Sequence, residues 1–231
     1  MRRIIKSNRR LYDAHLRIKG ICPSPPTKYD DLFVSGFPRS GNTFFSFFMR
    51  SYFPEKRIST HYHVFAGVRY ALSNQVPALI IIRDPVDAIS SLLVKDSKTS
   101  AAAMNGAIHD YIDYYSRVHQ TPLSEKLRII KFEHAVSPEV NNVLALSNWL
   151  GWVRPNSDIS PILRHVTARI DELVSAYPDT AKSFTNEKKR AAKKEVKSLL
   201  SGAAAIREAN EIYEKILARI EKDGHSQFDR E

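Results

Sequence analysis

Apolar positions along this chain fall into two rhythms. Three short runs are rich in apolar residues: Leu32–Val34, Ala78–Arg83 up to its closing arginine, and Leu127–Glu133. All three predict strands, and the uninterrupted run of Ala78–Arg83 predicts one covered on both faces, as parallel sheets require. A weaker strand followed by a loop is predicted within Lys56–His63. Between these runs the apolar spacing widens to helical periodicity. Helices are predicted over Asn42–Tyr52, ended by Pro54, and over 64–74. Others run from Pro85 through Val86, Ala88, Ile89 and Leu92, over 100–119, and from Ser137-Pro138-Glu139 to Leu150, with Gly151 as the stop. The Asn42–Tyr52 segment is so nearly apolar that it should be buried on most sides.

After Gly151 no strand pattern recurs, and residues 159–177 and 187–222 read as helices. Strands alternating with helices predict an α/β fold: a parallel sheet flanked by helices, with a helical C-terminal part over 152–231. A chain of 231 residues suits a single domain of this class. Residues 1–30 read as an N-terminal arm, with a short basic surface helix inside 1–20 and a connector carrying Pro23, Pro25 and Pro26. The tail from Asp223 should fray.

Composition adds charge and compartment. The net charge is +10, which suits either a solvated basic surface or an anionic ligand. Cys22 is the only cysteine, so internal disulfides and multi-cysteine zinc sites are excluded. That usage fits a reducing compartment. No stretch approaches the roughly 18–20 apolar residues of a membrane span. The first ten residues are basic with no long apolar core behind them, so no secretory leader is expected. A cytoplasmic protein without an integral membrane span is therefore predicted.

The chemistry concentrates in Gly36-Phe-Pro-Arg-Ser-Gly-Asn-Thr43, between the first strand and the first long helix. Gly36, Gly41 and Thr43 keep the spacing of the phosphate loop G-x-x-x-x-G-K-[ST], but Asn42 stands where the lysine belongs. Backbone N–H groups at such a helix start cradle phosphate oxygens. The lysine normally reaches the β- and γ-phosphates of a triphosphate. The loop thus reads as a phosphate holder that does not hydrolyse ATP or GTP.

Pro38-Arg-Ser-Gly-Asn-Thr-Phe44 resembles the P-K-S-G-T-T-W signature of PAPS-dependent sulfotransferases, with Arg39, Asn42 and Phe44 replacing lysine, threonine and tryptophan. PAPS is 3′-phosphoadenosine 5′-phosphosulfate. Arg83-Asp-Pro-Val-Asp-Ala-Ile-Ser-Ser91 resembles the family's R-N-P-x-D-x-x-x-S segment. Ser59-Thr-His61 is similar to K-T-H, and Phe132-Glu133 with Leu150-Gly151 to a structural strand and helix end. These matches keep the family's order over 32–151.

The resemblance implies a sulfotransferase fold of the phosphate-loop type, PAPS as co-substrate, PAP as product, no metal and a hydroxyl-bearing acceptor. It assigns Arg39, Ser40, Gly41, Asn42, Thr43 and Phe44 to the phosphosulfate and adenine, and Arg83 and Ser91 to the 3′-phosphate. Arg39 doubles as catalytic cation and His61 is the general base, with His63 the alternative base; no glutamate lies in 58–75 to compete. The late R-K-G-x-x-G segment of the cytosolic branch has no counterpart, since no glycine lies between Gly151 and Gly202. Phe184-Thr-Asn-Glu faintly resembles the stretch after it. Lys188, Lys189 and Arg190 read as a solvated basic face, or else as a third cationic arm. Two other functions stay open: a small-molecule or nucleotide kinase, which Asn42 argues against, and a non-catalytic basic module for membranes or nucleotides. Nucleic acid is not the expected partner.

Overall fold

The computed structural model describes residues 6, 8–18, 25–122, 124–153, 158–176 and 187–222. Cys22, Pro23, Lys182, Phe184 and the tail from Asp223 lie outside them. Among the described residues four strands, β1 (Leu32–Gly36), β2 (Ile58–Ser59), β3 (Ala78–Ile82) and β4 (Leu127–Lys131), form an all-parallel sheet in the order β2-β1-β3-β4. Among the described residues ten helices follow chain order: α1 (Arg9–Ile18), α2 (Asn42–Tyr52), α3 (Phe65–Ser73), α4 (Pro85–Asp96), α5 (Ala101–Gln120), α6 (Phe132–Val136), α7 (Val140–Leu150), α8 (Ser160–Ala176), α9 (Glu187–Ser201) and α10 (Ala204–Lys222).

Alternate strand residues feed two separate cores. Phe33, Ile80, Ile82, Leu127 and Ile129 face one side, where α3, α4, α5, α9 and α10 pack. Leu32, Val34, Leu79, Ile81 and Ile130 face the other, against α2, α7 and α8. This period of two explains why β3 is apolar throughout: both faces are covered. The C-terminal helices belong to these same cores, through Val166 and Ile170 on one side and Val196, Leu200 and Ile216 on the other.

Two expectations are corrected. The third strong run was expected to stay extended through Glu133, but β4 ends at Lys131 and Phe132 and Glu133 open the short helix α6. The helix expected over 187–222 breaks at Gly202 into α9 and α10. Glycine is a poor helix former, and the break lets α9 pack on α4 while α10 packs on α5.

Gly36 ends β1 directly against β3. A Cβ there would sit 2.4 Å from the Ile81 carbonyl oxygen and 3.1 Å from Asn42 Oδ1. The near neighbour is backbone, in register with Gly36 across the sheet. Gly36→Ala is therefore expected to cost at least about 1–3 kcal/mol of stability, as overpacking typically does, and thermal melting would show it.

Candidate active site

The carboxyl ends of β1 and β3 meet at the point where the chain's strand order reverses, the usual place for an α/β site. The loop after β1 is held in an unusual shape. Arg39 and Gly41 both take left-handed backbone conformations, at φ 75° and 82°. For a non-glycine residue this costs about 1–3 kcal/mol and persists only where neighbours enforce it. Here α5 does so: the Tyr115 hydroxyl donates to Ile81 O at 2.7 Å and accepts from Phe37 N at 3.2 Å. Asn42 adds a tie across the loop, its Nδ2 donating to Phe37 O at 3.2 Å.

The loop residues identified from sequence thus divide. Ser40 is fully buried and its N–H already donates to Phe37 O, so it is not brought to the cleft. The Asn42 side chain is turned into the loop, its Oδ1 buried without a protein partner. The first intrahelical bond of α2 runs from Phe45 N to Gly41 O. The N–H groups of Gly41, Asn42, Thr43 and Phe44 precede it, the normal orphan donors of a helix start.

Two arginines lie side by side behind those donors. Arg39 Nε donates to Ser91 Oγ at 3.0 Å, so Ser91 is drawn to the loop from α4. Arg83 Nη1 donates to Arg39 O at 2.7 Å, and its guanidinium lies 3.8 Å over the Phe132 ring. Tyr111 of α5 holds the Arg83 carbonyl at 2.7 Å. Arg83 Nε is buried with no partner. Burial lowers both guanidinium pKa values; Arg83 lowers that of Arg39 further, while Asp87 raises that of Arg83 partly back. Adjacent, partly desolvated cations with unused donors suit an anion.

Asp87 ties α4 to α9. Its carboxylate lies 3.8 Å from Arg83 Nη2 and 3.4 Å from Lys193 Nζ, and contacts Lys197 as well. Burial would raise the Asp87 pKa, but Lys197, Lys193 and Arg83 outweigh it and leave it lowered. Lys193 reaches the cleft, and burial followed by Arg83 lowers its pKa. Lys193 was missed in the sequence, where it sits inside an undifferentiated basic run. Of the residues considered for a third cationic arm, Arg190 is exposed, and the side chains of Lys188 and Lys189 lie outside the described residues.

The segment after β2 brings in both histidines. His61 has φ 67°, and its ring centre lies 6.0 Å from that of His63, nearly perpendicular. His63 Nδ1 is 2.9 Å from Gly36 O. A carbonyl only accepts, so Nδ1 carries the proton. Burial, then Arg50 and Lys95, lower the His61 pKa. Burial pushes His63 down to about 4, against a partial rise from the Gly36 bond. Both rings are therefore neutral near pH 7. Between an unfolded value of 6.5 and about 4 the unfolded chain binds a proton at His63 that the folded chain does not. Stability from this residue is thus full above that window and is lost as pH falls through it. His63→Gln, whose amide can still donate to Gly36 O, is expected to flatten the fall in melting temperature between pH 7 and pH 4; an unchanged slope would assign the loss elsewhere.

These groups line one cleft of about 690 Å³, the size of a ligand site. It gathers Arg39, Gly41, Asn42, Thr43, Phe44, His61, Arg83 and Ser91. Phe44 lines it while its ring also packs on the α2 core. Among the described residues no cluster of three or more His, Cys, Asp or Glu could hold a metal, and no helix is long and apolar enough to cross a membrane.

No family model matches the chain, and no curated protein matches it in sequence. Its structure is similar to the crystal structure of mouse sulfotransferase SULT7A1 complexed with PAP, with a TM-score of 0.51 and 13% identity; 81% of this chain and 90% of that chain are covered. The likeness shows a sulfotransferase-like fold: the four-stranded parallel sheet flanked by helices.

Proposed function

We propose that the protein transfers a sulfuryl group from PAPS to a hydroxyl-bearing acceptor, with residues 1–231 as one catalytic unit. The observation that carries this reading is the paired Arg39 and Arg83 behind a helix start that lacks the NTPase lysine. The crystallised neighbour's complex with PAP supports it.

The residues present fit a bisphosphorylated nucleotide. Arg39, inside the loop, would meet the oxygen between phosphate and sulfur, and the N–H groups of Gly41 to Phe44 the phosphate oxygens. Arg83 and Ser91 would hold the 3′-phosphate, with Lys193 as the cation from α9. Phe44 offers a face to the adenine. PAPS supplies the sulfuryl group: its sulfur–oxygen bond to phosphate breaks as the acceptor oxygen bonds sulfur. His61, neutral at working pH, takes the acceptor's proton.

The kinase reading is disfavoured by Asn42, whose amide ties down Phe37 O where a lysine would reach a γ-phosphate. Calorimetry separates the two. Adenosine 3′,5′-bisphosphate is expected to bind without Mg²⁺, and Lys193→Ala to weaken it about tenfold, near 1.4 kcal/mol. Binding of ATP–Mg²⁺ alone would overturn the sulfotransferase reading. Binding of neither nucleotide, with salt-sensitive binding to anionic vesicles, would favour a basic docking module instead.

A further inference from the structure

A second cavity, of about 230 Å³, adjoins the cleft. The two share Tyr12, Pro38, His63, Leu92 and Asp96. A molecule in the smaller cavity therefore faces the same loop and the same histidine as an anion held in the larger one. None of the roles assigned above uses this space.

Its walls are of another kind. Phe37, Val64 and Tyr114 are buried and form an apolar, largely aromatic floor, with Tyr12 and Phe65 half-buried beside it. Three carboxylates line it, Asp96, Asp110 and Asp113, against one lysine, Lys6. Lys6 pairs with Asp110 at 2.8 Å, and Arg117 with Asp113 at 3.1 Å. Asp96 carries no ion pair among the described residues and meets Arg39 only through its field. In a chain of net charge +10 this corner is acidic, while the adjoining cleft is lined by Arg39, Arg83, Lys95 and Lys193. Asp96 stands in the shared wall, with Asp110 and Asp113 beyond it on the side of the smaller cavity and the four cations on the side of the cleft. Aromatic faces next to carboxylates attract a desolvated cation and repel an anion. The volume lies below that of drug-sized sites, which restricts the occupant to a compact molecule.

We propose that this cavity is the acceptor subsite and that it takes a compact alcohol or phenol with an apolar body and a protonated amine. The proposal rests on the sulfuryl-transfer reading. The Nδ1–H of His63, held on Gly36 O, fixes the ring that forms the shared wall. A hydroxyl projecting past that ring comes towards His61, whose ring centre is 6.0 Å away. The hydroxyl gives its proton to His61 as its oxygen bonds sulfur, and the amine stays behind among the carboxylates. Acidic acceptors, such as carboxylated or already sulfated compounds, are rejected by Asp96 and its neighbours.

Three phenols of similar length test this: tyramine, 4-ethylphenol and 3-(4-hydroxyphenyl)propionate, which carry positive, zero and negative charge. Each is titrated into the full chain loaded with adenosine 3′,5′-bisphosphate, and each is then assayed for transfer from PAPS. Tyramine is expected to bind about tenfold or more tighter than the propionate, with transfer in the same order. Asp96→Asn is expected to narrow that gap about threefold. Phe65→Trp, at a half-buried position lining only the smaller cavity, is expected to abolish tyramine binding while bisphosphate binding stays within about twofold. Equal binding of the anionic phenol, a gap untouched by Asp96→Asn, or no phenol binding to the loaded protein would each overturn the acceptor assignment. Failure of the bisphosphate itself to bind would instead overturn the transfer reading beneath it.

Discussion

Arg39→Ala is expected to lower sulfuryl transfer by about 10²–10³-fold, the typical loss when one donor to a developing negative charge is removed. Nucleotide affinity should fall much less. The backbone contact to Arg83 uses the Arg39 carbonyl, which alanine keeps, and the ground-state phosphates retain the helix N–H groups. Removal of the guanidinium costs most when charge builds on the leaving oxygen. Arg39→Gly makes the separation sharper. At φ 75° glycine relieves the backbone strain that arginine bears. That variant is expected to melt at or above the wild-type temperature while transferring as poorly as the alanine variant. A parallel loss of stability and activity would mean that Arg39 serves mainly to hold the loop.

His61→Ala should cost about 10²–10⁴-fold in transfer with bisphosphate affinity intact, the usual range for a lost general base. The pH profile supplies an independent sign. Only the neutral ring accepts a proton, so transfer rises with pH as His61 loses its own. Burial and the repulsion of Arg50 and Lys95 lower the His61 pKa, so the acidic limb of the rate profile lies below 6.5. Lys95→Gln removes one repelling charge and is expected to shift that limb upward. Near wild-type turnover by His61→Ala would remove His61 from the mechanism, and an acidic limb near pH 4 would transfer the role to His63.

The elements nearest the loop were the most readable in the sequence, for a physical reason. Ala78–Ile82 and Leu32–Val34 are apolar at every position because the sheet is covered on both faces. Asn42–Tyr52 starts at the loop and stops before Pro54, and its span matches the expected helix. Arg83 and Ser91 were marked by the resemblance of the segment they bound to a family motif, and the fold brings both to Arg39. Features that depend on distant pairing were not readable. Lys193 meets Asp87 across more than a hundred residues of chain, and a lysine among lysines carries no local mark of that contact. Phe132 looked like the end of a strand because it is apolar, yet it turns into α6 and supplies the ring under Arg83. The inward turn of Asn42 depends on Phe37 O being presented five residues earlier by a loop shape no propensity encodes. The smaller cavity draws on α1, α4 and α5 at once, so no single stretch announces it.

Three tyrosines of α5 carry a thermodynamic consequence for ligand capture. Tyr111 holds the Arg83 carbonyl, Tyr114 lies 2.9 Å from Ser35 Oγ, and Tyr115 bridges β3 and the loop. The left-handed turn at Arg39 is thus set when α5 docks on the sheet, during folding. An incoming anion does not have to order the loop, so little conformational entropy is lost on capture at that site. Association should then proceed in a single diffusive step, and amide exchange in residues 36–42 should be slow before any ligand arrives. Tyr115→Phe keeps the ring but removes the bridge. Its expected signature is kinetic: slower capture with a second, unimolecular phase, and a more unfavourable entropy of binding.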